Sequence, residues 1–219
     1  MKTNSEIRQE TLALMKGNWS DGVLVTFAFL ALVFACTAVT ALIGKVIGEP
    51  VGGSVQELLS VLVSILVFYP MSFSLVMLFL GFVRGEQQLH VGAIFGGFKK
   101  EYYGKSIGMY LLIAIFTILW TLLLIVPGII KSLSYALAPY ILAENPELTA
   151  NEAINRSMVM MKGHKLDLFL MVLVYAGFAL LSVLALGIPM LWLNPYYQAV
   201  FVKFYAEVKS EQMVVEHIA

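Results

Sequence analysis

SIGMYLLIAIFTILWTLLLIVPGIIKSLSYALAPYILA, residues 106–143, carries a single charge, Lys131, over roughly 38 residues, whereas about 20 apolar residues suffice to cross a bilayer. One span cannot use that length. Pro127-Gly128 lies near the middle, and proline cannot continue a helix while glycine tolerates a turn, so the stretch reads as two spans joined at Pro127-Gly128. Residues 168–202 repeat the arrangement with roughly 35 uncharged residues, interrupted by Gly187-Ile188-Pro189. Residues 23–44 and 58–83 are uncharged and long enough for one span each. The total is six spans.

Charge placement supports six over four. With a cytoplasmic N-terminus and six spans, only Lys45 and Lys131 of the 14 Lys and Arg residues face outward, as the positive-inside tendency requires. Treating the two long runs as single spans would instead move Arg156, Lys162 and Lys165 outside. Composition points the same way: 60% hydrophobic residues, 13% charged and a mean hydropathy of +0.86 exclude a water-soluble domain. A balanced net charge gives no footing for nucleic acid. Cys36 is the only cysteine, so neither an intrachain disulfide nor a thiolate metal site can form. The first twenty residues lack the apolar core of a cleavable leader, so the first span is expected to be retained.

A short element recurs at the start of the first and fifth spans: Met15-Lys16-Gly17-Asn18-Trp19-Ser20-Asp21 and Met161-Lys162-Gly163-His164-Lys165-Leu166-Asp167. Each closes a segment that opens with a capping box, Thr3-Asn4-Ser5-Glu6 and Thr149-Ala150-Asn151-Glu152. Ile7, Thr11, Leu14 and Met15 in the first, and Ala153, Ile154, Ser157, Met158 and Met161 in the second, recur at helical spacing, as in helices lying at a membrane surface. A third such helix is expected at residues 91–104, weakened by Gly92, Gly96 and Gly97. The fold expected is therefore all-α and polytopic: one membrane domain over residues 1–219, in units of about 1–86, 87–146 and 147–211 with a short tail at 212–219. Each unit is a cytoplasmic amphipathic helix followed by a two-span hairpin. Aligning Pro70 with Pro195 brings Val83-Arg84-Gly85-Glu86 onto Val208-Lys209-Ser210-Glu211, a further sign of repetition.

Polar side chains concentrate in spans two, four and six: Ser60, Ser64, Tyr69, Ser72 and Ser74; Lys131, Ser132, Ser134, Tyr135 and Tyr140; Asn194, Tyr196, Tyr197 and Gln198. Because such groups avoid lipid and seek one another, these spans are expected to form the inner bundle. Tyr135, Tyr140, Asn194, Tyr197 and Gln198 are candidate contacts for a lipid, ion or partner. Lys131, near the outer end of span four, either snorkels to water or marks an ion or anionic-lipid site, with Glu57 as its partner if spans two and four are neighbours. Glu144 closes span four where Arg156 and Lys162 could reach it. Basic residues near the surface helices attract anionic lipid at about 1 kcal/mol each.

No catalytic set emerges. Asp21 and Asp167 are the only aspartates, the number an intramembrane aspartyl protease needs, but each lies at a helix start where a carboxylate complements the backbone dipole. His90, His164 and His217 lack the spacing of a metal site, and no cofactor-binding motif occurs. Pro127-Gly128-Ile129-Ile130, the run from Tyr135 to Pro146, Asn151-Glu152-Ala153 and Met161-Lys162-Gly163 resemble a bacterial six-pass family, the domain of unknown function numbered 975. A looser similarity connects them to the membrane-anchor domain of some glycerophosphodiester phosphodiesterases. The resemblance implies a multi-pass protein of a bacterial cytoplasmic membrane and no activity, while the placement of Lys and Arg puts both termini on the cytoplasmic side. The functional expectation is non-enzymatic binding of membrane lipid, of a membrane-protein partner or of a second copy. The alternative is a small-solute or ion transporter using the polar residues of spans two, four and six.

Overall fold

The computed structural model describes residues 2–48 and 51–218, with side chains described as far as residue 213. It is helical, with no strand among the described residues. Five helices are long and apolar enough to cross a membrane: Trp19–Ile47, Val51–Val83, Lys100–Leu123, Ile125–Glu144 and Lys165–Leu184. In chain order the elements are α1 (Asn4–Met15), α2 (Trp19–Ile47), α3 (Val51–Val63), α4 (Tyr69–Val83), α5 (Lys100–Leu123), α6 (Ile125–Tyr135), α7 (Ala138–Glu144), α8 (Ala150–Met160), α9 (Lys165–Leu184) and α10 (Met190–Ile218). A π-turn, Ser64–Phe68, joins α3 to α4.

The recurring Met-Lys-Gly element has a physical basis. Gly17 and Gly163 adopt φ values of +91° and +90°, a left-handed conformation that closes a helix without the Cβ clash other residues would suffer. Both preceding helices carry the full reciprocal cap between threonine and glutamate. Their inward residues are buried against protein: Ile7, Thr11 and Met15 of α1 beside α10, and Ala153, Ile154, Ser157 and Met160 of α8 beside α5, α6 and α7. Lys2 pairs with Glu207, Lys203 with Glu10, and the Tyr196 hydroxyl donates to the Arg8 carbonyl. These contacts lay α1 lengthwise along α10.

Two sequence expectations are corrected. Residues 91–104 do not form one α-helix: Val91–Phe98 is 3₁₀, Lys99 is extended, and α5 starts at Lys100. The cause is contact with α4. A Cβ on Gly97 would lie 2.2 Å from the Pro70 carbonyl oxygen, and the Gly97 N–H donates to Ser74 Oγ at 2.6 Å, so backbone approach replaces helical regularity. The turn expected at Pro127-Gly128 falls instead at Leu124, whose backbone is extended (φ −161°, ψ 139°). Pro127 sits in the first turn of α6, where its missing N–H breaks no helical bond, and Gly128 lets α6 approach Thr121 of α5.

The helices are unequally buried. In the most apolar stretch of each, 39% of residues are buried in Val51–Val83 and 50% in Ile125–Glu144, against 17%, 11% and 17% in α2, α5 and α9. α10 is the sixth long helix but is less apolar. It passes through the core, burying Tyr197, Ala199, Val200, Val202, Phe204, Tyr205 and Val208, and a helix surrounded by protein tolerates the polar residues that lower its hydropathy.

Each of α4, α7 and α10 carries a proline near its start, Pro70, Pro139 and Pro195. Proline removes one helical donor, and near Pro70 and Pro139 side chains from other helices bond to the interrupted backbone. The Tyr103 hydroxyl donates to the Leu66 carbonyl at 3.2 Å, the oxygen that Pro70 cannot serve. Between α6 and α7, Ser157 of α8 donates to the Ser134 carbonyl at 2.8 Å and accepts from the Leu137 N–H at 3.1 Å. One buried hydroxyl thus satisfies both sides of the break.

Candidate functional site

Two sites emerge, an ionic junction at the ends of α4 and α7 and a cavity higher in the bundle. Glu144 ends α7 with its side chain only 5% exposed. Arg84, at the C-terminus of α4, and Lys209 of α10 both pair with its carboxylate, and the Tyr205 hydroxyl donates to it at 2.8 Å. Tyr205 in turn stacks on Tyr140, ring centroids 5.4 Å apart. A buried carboxylate is tolerated only when its lone pairs are engaged, and here three side chains from two helices engage it. Arg84 and Lys209 are the residues placed in register by aligning Pro70 with Pro195, and both converge on this one acid. Burial, and then the Arg84 charge, push the Lys209 ammonium below its ordinary value.

This replaces the expected partners of Glu144. Arg156 and Lys162 are exposed and make no ion pair with it. Arg156 instead lines a neighbouring cavity of about 520 Å3, together with Lys209 and Glu144. The sequence signal for the true partners lay in the repeat alignment, which placed Arg84 and Lys209 in register without indicating a shared acid.

The second cavity, about 420 Å3, is bounded by α2, α4, α5, the α6–α7 junction and α10. Thr26, Ser72, Tyr110, Tyr140, Asn194 and Gln198 reach it between walls that include Phe29, Phe79 and Phe201. Thr26 donates to its own helix at Gly22, and Asn194 accepts from the Tyr175 hydroxyl at 2.7 Å. Among the described residues, the Ser72, Tyr110 and Tyr140 hydroxyls and the Gln198 amide make no hydrogen bond to protein. Tyr197, a further candidate, is buried against the Tyr175 ring at 4.6 Å and does not line this space. Thr26 and Tyr110 escaped the sequence reading because each stands in an otherwise apolar span.

Lys131 and Glu57 are not paired. Lys131 lies 4.8 Å from the centre of the Trp120 ring, so an aromatic face takes the place expected for Glu57, which is exposed without an ion pair among the described residues. The reason is connectivity: α6 packs back on α5, which brings Trp120 under the lysine. Tyr135 is buried against Phe116. Asp21 and Asp167 lie in the first turns of α2 and α9. No group of three metal-ligating side chains occurs among the described residues, and the side chain of His217 falls outside them.

A family model described as protein of unknown function (DUF975) matches residues 1–137 and 121–212. No curated protein and no solved structure matches the chain.

Proposed function

The chain belongs to the DUF975 family of proteins of unknown function, and from that premise we propose that it is a six-span membrane protein that binds a lipid between its inner and outer helices without catalysing a reaction. α10 is the sixth span, both termini are cytoplasmic, and the membrane is the bacterial cytoplasmic one. The skewed placement of Lys and Arg supports that orientation.

The observation that carries the binding reading is the set of four unpartnered polar groups, on Ser72, Tyr110, Tyr140 and Gln198, that meet at the 420 Å3 cavity. These groups face open cavity rather than packed protein, so they are placed to bond an occupant that brings matching donors and acceptors. The cavity volume is within the range of ligand sites. None of its lining residues carries a charge, which suits the hydroxyl or ester region of a lipid and offers an ion nothing to select it. Phe29, Phe79 and Phe201 supply the apolar walls that an acyl-bearing molecule requires.

Mass spectrometry of lipids retained by the purified protein tests this. Gln198→Leu and Tyr110→Phe should each lower the retained lipid several-fold relative to the unaltered chain while leaving thermal unfolding in detergent little changed. Equal lipid content in all three would overturn the reading. Saturable solute flux in proteoliposomes, abolished by the same substitutions, would make the chain a transporter instead.

A further inference from the structure

The cavity of about 520 Å3 beside Glu144 differs in chemistry from the one just described. Arg156 of α8 and Lys209 of α10 both line it, as do the amides of Asn155 and Gln212 and that of Asn145, which donates to the Ile141 carbonyl. Glu144 is the one acid in its wall, and its carboxylate is already engaged by Arg84, Lys209 and Tyr205. Arg156 has no hydrogen bond or ion pair among the described residues. Glu152, one turn earlier on α8, is committed to the Thr149 cap. Two cations and three amides share the lining with a single acid that is already ion-paired, so positive charge exceeds negative charge there. Val159, one turn beyond Arg156 on α8, and Met213, one turn beyond Lys209 on α10, add apolar surface to the lining and are 56% and 50% exposed.

We propose that this cavity seats a phosphate group, with the Arg156 guanidinium as its principal donor and Lys209 as the second charge. Guanidinium geometry matches two phosphate oxygens at once, and the only charge Arg156 acts on is Glu152 one turn earlier, whose carboxylate is already bonded to the Thr149 cap. Val159 and Met213 would contact the apolar part of a phospholipid if the phosphate belongs to a headgroup, and would stay uncovered if it belongs to a soluble phosphate ester.

The test uses the full chain in nanodiscs of phosphatidylcholine alone or doped with phosphatidylglycerol, and in detergent with glycerol phosphate. Bound phosphatidylglycerol is read by native mass spectrometry and bound glycerol phosphate by calorimetry. Removing one charge near the surface should weaken binding roughly fivefold, so Arg156→Gln should show that loss and Arg156→Lys should recover part of it. Lys162→Gln, an exposed charge away from the cavity, should change little, which separates a seat from general attraction to an anionic surface. Arg156-dependent binding in the nanodisc arm assigns the phosphate to a lipid, and in the glycerol phosphate arm to a soluble ester. Equal losses for Arg156→Gln and Lys162→Gln, or no phosphate-dependent binding in either arm, would overturn the proposal. The cavity lined by Gln198 is separate, so its variants report on the lipid reading independently.

Discussion

The outer helices α2, α5 and α9 and the inner elements α4, α7 and α10 come from one chain of high hydropathy yet follow opposite rules. Leu122 and Leu184 in the outer set are 79% and 84% exposed, and little holds their far ends beyond the neighbouring helix. Phe73, Phe79, Leu142 and Phe204 in the inner set are almost completely buried, among prolines, serines and a carboxylate with three partners. An outer helix needs only to be apolar, since lipid is as good a neighbour as protein for an aliphatic side chain. An inner helix must satisfy each irregularity it contains. Sensitivity to substitution should therefore follow the inner–outer division more closely than it follows hydropathy.

The sharpest way to break that division is Glu144→Ala. Removing one partner from a buried ionic cluster costs about 3–5 kcal/mol, and here Arg84 and Lys209 would be left facing each other, so thermal unfolding in detergent should show the largest loss of any single change. Gly97→Ala should follow, by about 1–3 kcal/mol, because its Cβ would meet the Pro70 carbonyl at 2.2 Å. Gly96→Ala, which meets nothing within 4 Å, is its control. Ser157→Ala leaves the Leu137 N–H without its acceptor and should cost about 1–3 kcal/mol, with faster amide exchange at Leu137 as the local readout.

The caps supply a smaller, pH-dependent effect. The Thr149 backbone N–H, then its hydroxyl, hold the Glu152 carboxyl below its ordinary value of 4.5, and Thr3 does the same for Glu6. A lowered folded value means that the stabilisation is fully present above pH 4.5 and is lost as pH falls through the lowered value. Protection of the amides in the first turns of α1 and α8, followed by hydrogen exchange, should decline over that acid range, and Glu152→Gln should flatten the dependence for α8. At the small end, Leu122→Ala should change stability by no more than about 0.5 kcal/mol. A loss as large as that of Ser157→Ala would mean that the outer face is covered by another protein.

Legibility in the sequence followed the same division. Long uncharged runs identify the outer helices because composition is their whole requirement. The stop glycines and threonine–glutamate caps were also readable, since a cap closes within four residues of chain. Tyr140, Asn194 and Gln198 were recognisable as inner residues by their polarity in apolar surroundings. What they line was not, because the cavity also needs Thr26 and Tyr110 from helices that carry no such signal. The 3₁₀ segment at Val91–Phe98 was misread as a surface helix because the deciding contact, Gly97 on Pro70, joins residues far apart in the chain.

The sequence by itself determined that this protein is a helical membrane protein, where its apolar helices lie and how two of its short helices begin and end. Those properties depend on hydropathy, length and bonds within a few residues. Only the tertiary structure decided that Glu144 belongs to Arg84, Lys209 and Tyr205 rather than to Arg156 or Lys162, that Lys131 rests over Trp120 rather than beside Glu57, and that four unmet polar groups share one cavity. A charge is matched by whichever opposite charge packing brings within a few ångströms, and that choice is made between helices whose separation in sequence carries no record of it.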